Sequence, residues 1–186
     1  MILSTVWRLL VCAKHRLLVS GVALGLGILT GISIVSSGID RVPKAEYSHL
    51  TEFTLTSILF NNAVIVIVLV VGGIAFLGFA TIGLLYINGF IIGVSVLGST
   101  KGTTLLTSVM WIVPHGMFEI AGFIIASAAG LKFPLDIIRY LRREQTVTIE
   151  YSDVRDTGVL TATALILILI GAVIEVIVTP VIVKSI

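Results

Sequence analysis

The longest uncharged stretch of the chain runs from Phe53 to Thr100 and reads FTLTSILFNNAVIVIVLVVGGIAFLGFATIGLLYINGFIIGVSVLGST. One α-helix of this length would extend about 72 Å, more than twice the ~30 Å hydrocarbon core of a bilayer. The stretch must therefore fold back on itself, and we expect two membrane-spanning helices, near residues 56–77 and 80–98. The residues that mark the reversal are Gly72, Gly73, Gly78, Thr81 and Gly83.

Three other stretches with almost no charge are also long enough to cross a bilayer, and they predict spans at 17–38, 104–131 and 158–183. The first exceeds the roughly 7 to 15 residues of a signal-peptide core, so we expect it to be retained. Charged residues make up only 12% of the 186-residue chain, about half the roughly 25% usual for soluble proteins. The expected fold class is an all-α integral membrane protein. We expect one membrane domain over 1–186, a bundle of about five transmembrane helices with short loops, and the composition excludes an ordinary soluble enzyme.

The charged segments flank these spans. Residues 1–16 and 134–143 mix apolar and basic side chains at helical spacing, which predicts two interfacial helices in contact with the lipid bilayer, with Trp7 as an anchor. A plain basic flank that sets topology is an equally good interpretation of both segments. The net charge is only +2, without a basic stripe, so no nucleic-acid binding is predicted. With a single cysteine, Cys12, and no metal-ligand motif, we expect no metal and no cofactor.

Two carboxylates, Glu119 and Glu175, stand inside predicted spans. A charged side chain at the centre of a membrane helix costs roughly 2.5 to 3.5 kcal/mol on insertion scales, so both carboxylates need partners. His115 precedes Glu119 by four residues, which places the two side chains on one helix face. The sequence therefore predicts an intramembrane polar cluster. Its members are Asn61, Asn62, Asn88, His115, Glu119 and Glu175.

Small residues on the same face of span four form a groove that would let another helix approach closely. Pro114, next to His115, removes one backbone hydrogen bond and bends the helix. Small residues four apart recur in other spans. Most such pairs pack a single chain, and a homo-oligomer is the alternative. The groove comprises Ser108, Gly122, Ala126 and Ala129, and the spaced pairs are Gly21 with Gly25, Gly27 with Gly31, and Gly89 with Gly93. In span five, Glu175 follows Gly171 by four residues, which would place it where the backbone of a neighbour comes near.

Three sequence elements in spans two to four resemble those of a known family. They are Asn61-Asn62, then Asn88-Gly89 followed by Gly93, then Pro114-His115-Gly116 followed by Glu119 and Gly130. Over roughly Ile58 to Leu131 the chain resembles the stage II sporulation protein M family of multi-spanning membrane proteins. The resemblance implies about five membrane helices and, for a member in spore-forming bacteria, a scaffold for cell-wall hydrolases during engulfment. Members also occur in archaea, and the resemblance implies no catalytic role for the motif residues.

Three functions are compatible with these features. The first, which we favour, is a non-enzymatic membrane scaffold or assembly protein whose groove or flanks hold membrane or envelope protein partners. The second is a transporter or channel whose intramembrane site comprises Asn61, Asn88, His115, Glu119 and Glu175. The third and least favoured is an intramembrane metallohydrolase. It would need His115, Glu119 and Glu175 to converge on zinc, and the chain has no His-Glu-x-x-His motif.

The distribution of basic residues predicts the orientation of the chain in the cell membrane. With five spans, eight Lys and Arg residues flank the side of the N-terminus and four flank the other side. Because positively charged loops stay cytoplasmic, we predict a cytoplasmic N-terminus and an external C-terminus. A C-terminal epitope tag should react with antibody on intact cells, and an N-terminal tag only after permeabilisation. Two tags accessible from the same side would contradict five spans.

Overall fold

The computed structural model describes residues 2–38, 54–99, 104–144, 146 and 149–184. Within these ranges the chain forms eight α-helices and no strand. Five stretches are long and apolar enough to cross a membrane, which confirms the predicted fold class. Of the basic residues on the predicted external side, Arg41, Lys44 and Lys101 lie outside the described ranges. The helices are α1 (Ile2–Cys12), α2 (Lys14–Ser36), α3 (Leu55–Ala75), α4 (Phe79–Ser99), α5 (Leu105–Gly130), α6 (Lys132–Leu141), α7 (Tyr151–Ile177) and α8 (Thr179–Lys184).

The last predicted span, 158–183, differs most from the helices observed. Helix α7 begins earlier, at Tyr151, because Glu150 and Asp153 form a capping box there. The Glu150 backbone N–H donates to the Asp153 carboxylate at 2.9 Å. Helix α7 ends before Val178, and α8 follows, because Pro180 has no N–H with which to continue the helical hydrogen bonds. A run of apolar residues alone does not reveal either boundary.

The predicted reversal between α3 and α4 lies at residues 76–78. Leu77 and Gly78 adopt left-handed backbone angles, with φ of 51° and 87°. The Gly78 N–H donates to the Gly73 carbonyl at 2.8 Å, which closes the end of α3. The 48-residue stretch therefore folds into a helical hairpin.

The other residues predicted to mark this reversal have different roles. The buried Thr81 hydroxyl donates to the Leu69 carbonyl at 2.7 Å and so connects the two arms of the hairpin. A Cβ at Gly73 would lie 2.5 Å from the Gly130 carbonyl oxygen on α5, so this glycine permits a close helix approach. Gly83 has nothing within 4 Å of the position of a Cβ and does not contribute to the turn.

Helices α2 and α4 meet through glycine on both sides. A Cβ at Gly27 would overlap the Tyr86 carbonyl, and a Cβ at Gly89 would overlap the Leu24 carbonyl. Gly31 and Gly93 are in the same situation one turn further along. Two of the spaced pairs therefore form one interface within the chain. The third pair, Gly21 with Gly25, has nothing within 4 Å.

Helix α5 contacts six other helices and is the centre of the bundle. The predicted groove lies on its surface, but helices α7 and α3 fill it. A Cβ at Gly122 would lie 3.1 Å from the Ala164 carbonyl oxygen on α7, and a Cβ at Gly130 would overlap the Leu69 carbonyl on α3. The expectation of an open groove for a partner is therefore wrong, because the chain's own helices need this surface to pack. The buried groove residues are Ser108, Gly122, Ala126, Ala129 and Gly130.

Helix α6 overlaps the interfacial helix predicted at 134–143, and it also packs against the rest of the bundle. Lys132 pairs with Asp136 at 3.1 Å and with Asp153, at the start of α7, at 2.7 Å. The first pair lies within α6, the second attaches α6 to α7, and one face of the helix is covered by protein. The buried residues of α6 are Phe133, Pro134 and Asp136.

Helix α1 is separated from α2 by the single residue Ala13 and packs against α2 and α7. Leu9 contributes to the core and is 5% exposed, whereas Trp7 is 70% exposed. One face of α1 therefore packs against the other helices, and an apolar face is exposed. Its position at the membrane interface stays a prediction.

Leucine substitutions at two glycines test whether the close contact between α2 and α4 stabilises the bundle. We predict that Gly89→Leu lowers the thermal unfolding midpoint in detergent, because its side chain would overlap the backbone of α2. Overpacking of this kind typically costs about 1 to 3 kcal/mol. Gly25→Leu is the matched control, since a Cβ there meets nothing within 4 Å. Equal destabilisation by the two substitutions would contradict the described α2 to α4 interface.

Candidate functional site

The central contact of the predicted polar cluster joins α3 to α5. The Asn62 amide donates from Nδ2 to Glu119 Oε1 at 2.5 Å. Asn62 is buried and Glu119 is half-buried. Of the candidate partners for Glu119, Asn62 is the one that hydrogen-bonds to it. This bond connects two helices across 57 positions of sequence.

His115 connects α5 to α8. Its Nδ1 lies 3.4 Å from the Thr179 hydroxyl oxygen, and Thr179 is fully buried. The Thr179 hydroxyl itself donates to the Ile174 carbonyl at 3.3 Å. In that arrangement the hydroxyl oxygen accepts a hydrogen bond from Nδ1–H, so a neutral imidazole carries its proton on Nδ1 and leaves Nε2 as an acceptor. Sequence reasoning missed Thr179, for which the available signal was its place before Pro180 at the helix break.

Helix α7 passes His115 and Glu119 with only a glycine between the two helices. A Cβ at Gly171 would lie 2.9 Å from Glu119 Cγ and 3.3 Å from the His115 carbonyl oxygen. Glu175 stands one turn after Gly171 on α7. The carboxylate is half-buried and lies within electrostatic range of Glu119. It forms no hydrogen bond or ion pair with any described residue.

The two remaining asparagines differ in their relation to the cluster. Asn61 is exposed, and its Nδ2 lies 3.5 Å from the Asn62 side-chain oxygen, at the edge of the cluster. Asn88 donates to the Leu84 carbonyl of its own helix at 2.9 Å. It therefore has no bond to the cluster among the described residues.

The Pro-His-Gly element lies within α5. Pro114 is inside the helix and supplies no N–H to the carbonyl four residues earlier. Gly116 is buried, and a Cβ there would lie 3.4 Å from Ile112 Cγ2, an ordinary van der Waals distance. Nothing in the packing explains why glycine stands at 116.

The described residues contain no group of three or more His, Cys, Asp or Glu side chains placed to hold a metal ion. His115, Glu119 and Glu175 therefore do not form the three-ligand site that zinc catalysis requires. The cluster as described consists of one amide-to-carboxylate bond, one imidazole-to-hydroxyl bond and an adjacent carboxylate. Its chemistry is that of hydrogen bonding and, at Glu175, of charge.

A second set of polar contacts lies toward the opposite ends of the helices. The Ser20 hydroxyl on α2 donates to the Ser127 hydroxyl on α5 at 2.9 Å, and both residues are fully buried. Arg16 donates to the Ala128 carbonyl at 2.9 Å. The sequence assigned Arg16 only to a basic flank, because composition does not show that its guanidinium reaches a backbone carbonyl of α5.

Comparison with known proteins extends the resemblance beyond spans two to four. The sequence matches the family described as Stage II sporulation protein M over residues 17–180. An uncharacterized protein of Methanocaldococcus jannaschii is 33% identical over 173 residues, which cover 90% of this chain and 95% of that protein. No solved structure matches the chain significantly. The match includes the polar cluster and all but the ends of the five-span bundle, and the chain therefore belongs to the stage II sporulation protein M family.

Proposed function

We propose that the protein is a non-enzymatic membrane scaffold, a rigid bundle that presents its flanks to membrane or envelope protein partners. The observation that carries the proposal is that the polar cluster makes contacts between helices. Glu119 is bonded to α3, and His115 lies within hydrogen-bonding distance of Thr179 on α8. Interhelical bonds of this kind in membranes contribute about 0.6 kcal/mol each on average. Side chains engaged in this way favour one fixed arrangement of the helices.

Family membership also supports a scaffold. The family description names sporulation, and the resemblance implies a member that organises cell-wall hydrolases. We extend that role to this chain only in general form, as the assembly of envelope proteins. In the proposed orientation in the cell membrane, the N-terminus and α6 are cytoplasmic and the C-terminus is external.

A partner would bind at the flanks, because the groove on α5 is filled by α3 and α7. The end of α6 is a suitable flank, since Tyr140 is 44% exposed and Leu141 is 73% exposed. The basic residues Arg142 and Arg143 follow directly and are also exposed. This combination of apolar and basic side chains outside the bundle is typical of a protein contact surface.

Transport is the second candidate, and Glu175 is the observation that favours it. A half-buried carboxylate beside Glu119, with no bond to a described residue, is the kind of intramembrane group that ion and proton pathways use. The exposed Asn61 extends the cluster beyond Asn62, since its Nδ2 lies 3.5 Å from the Asn62 side-chain oxygen. The two functions differ in whether Glu119 and Glu175 are needed for stability or for flux.

The first prediction of the scaffold hypothesis concerns stability. Asn62→Ala and Glu119→Ala should each lower the free energy of unfolding by about 1 to 3 kcal/mol, because each leaves a shielded polar group unpaired. The double variant should cost less than the sum of the two. Glu119→Gln should be close to wild type, since its side-chain oxygen can still accept from Asn62. The measurement is unfolding in detergent, monitored by circular dichroism.

Asn88→Ala is the matched control, because its amide bonds only to its own helix. We expect a change within about 0.5 kcal/mol. In parallel, proton flux into proteoliposomes should equal that of protein-free vesicles. Wild-type flux that Glu175→Gln abolishes, together with unchanged stability of Asn62→Ala, would replace the scaffold with transport.

The second prediction concerns a partner. After crosslinking in the native membrane, the tagged protein should co-purify with one envelope protein in near-equal amount, identified by mass spectrometry. The combined substitution of Tyr140→Ala and Leu141→Ala should reduce that recovery, because both side chains are exposed on the proposed surface.

The control for this capture is Phe60→Ala, which removes a large apolar side chain that is 71% exposed on a different helix. It should leave recovery of the partner unchanged. Purification of the protein alone, or with copies of itself only, would contradict the scaffold proposal.

A further inference from the structure

The end of the bundle that carries α1 and α6 has basic side chains without acidic partners. Three of its acidic residues are already paired: Asp136 with Lys132 and Arg139, Asp153 with Lys132, and Asp156 with Arg155. Four further basic side chains are exposed and form no ion pair within the part of the chain that the structure describes. They are Arg8, Lys14, Arg142 and Arg143.

The uncompensated charge is greatest beside α1. Glu144 follows Arg143 directly along the chain and offsets part of the charge at the end of α6. Between Ile2 and Arg16 the chain contains no acidic residue. Arg8 and Lys14 are therefore the basic side chains with the least local compensation.

Beside these charges α1 carries an apolar stripe that no other helix covers. Leu3, Trp7 and Val11 are 84%, 70% and 51% exposed. They are four residues apart, so they lie on one face of the helix. Leu9, on a different face, is 5% exposed and fixes α1 to the bundle.

The backbone sets α1 apart from the first membrane span. Helix α1 ends at Cys12 and α2 begins at Lys14, with Ala13 between them at φ −86° and ψ 3°. Helix α1 then packs against α7 as well as α2. The exposed stripe thus lies at the end of the spans, at the level where charged residues begin.

We propose that α1 binds anionic phospholipids, with Leu3, Trp7 and Val11 among the acyl chains and Arg8 and Lys14 on the headgroup phosphates. Charge complementarity selects this occupant, because an exposed apolar stripe beside unpaired cations matches an anionic bilayer surface. Long basic side chains reach the headgroups while their stems stay on apolar surface. The inference is independent of the scaffold proposal, since a lipid preference of α1 would exist in a transporter as well.

Trp7 offers a direct test, because the chain contains only two tryptophans. In the full-length Trp111→Phe variant, Trp7 is the sole tryptophan. We would reconstitute this variant in phosphatidylcholine nanodiscs that contain a small fraction of brominated phosphatidylglycerol or, in parallel, brominated phosphatidylcholine. Bromine quenches tryptophan only on contact. A basic residue near an anionic surface contributes about 1 kcal/mol, so Arg8 and Lys14 together contribute about 2 kcal/mol, or roughly thirtyfold. We therefore expect half-maximal quenching at a roughly thirtyfold lower fraction of the anionic lipid.

Two substitutions distinguish a site on α1 from a general effect of positive charge. Arg8→Gln with Lys14→Gln should make the two brominated lipids equally effective. Arg155→Gln should leave the preference unchanged, because this cation is paired with Asp156 at 3.0 Å. The thermal midpoint of each variant verifies that it is folded.

Each other outcome would overturn the proposal. Equal quenching by both lipids in the parent variant would show that α1 has no anionic preference. Absence of quenching by either lipid would show that Trp7 is not in the bilayer. A loss of preference in Arg155→Gln as large as in the Arg8 and Lys14 variant would attribute the effect to net charge.

Discussion

Backbone-to-backbone contact at glycine is the interaction on which the helical bundle depends. Lipid tails are as apolar as leucine, so burial of apolar side chains does little to bring membrane helices together. Close approach adds dispersion contacts, and glycine permits it where a Cβ would collide or fit only tightly. Gly89 avoids a collision between α4 and α2, Gly130 avoids one between α5 and α3, and Gly122 makes room for α7 beside α5.

The polar cluster is a consequence of that packing. Gly171 lets α7 pass directly beside His115 and Glu119. The helix break before Pro180 places the Thr179 hydroxyl within 3.4 Å of His115 Nδ1. One side of the cluster is closed by the bond between Asn62 and Glu119. Glu175 forms no hydrogen bond or ion pair with any described residue. The bond between Asn62 and Glu119 favours a structural role for the cluster, whereas the unpaired Glu175 carboxylate favours a role in ion or proton transfer. Scaffold and transport are therefore the two functions to separate.

The opposite end of the bundle has a different chemistry. There the ion pair of Lys132 with Asp153 attaches α6 to α7, and Arg16 donates to a carbonyl of α5. Charges used in this way hold the helices together. Those left over, beside α1, face outward together with an apolar stripe. The bundle thus combines a polar cluster between helices with an exposed surface of apolar and basic side chains beside α1.

The sequence by itself determined the class of the protein, the five spans, the reversal after Gly73 and the family, because hydrophobic length and a few polar motifs are local properties of the chain. It also identified Glu119 and Glu175 as residues that need partners, from the cost of polar groups in hydrocarbon, and His115 and the asparagines as candidate partners. Only the tertiary structure decided that Asn62 rather than Asn88 is the partner of Glu119, that Thr179 approaches His115, and that the groove on α5 is already filled. Those outcomes depend on how each helix is rotated and shifted against its neighbours. Rotation and shift are set by many weak contacts between residues far apart in sequence, which no local pattern records.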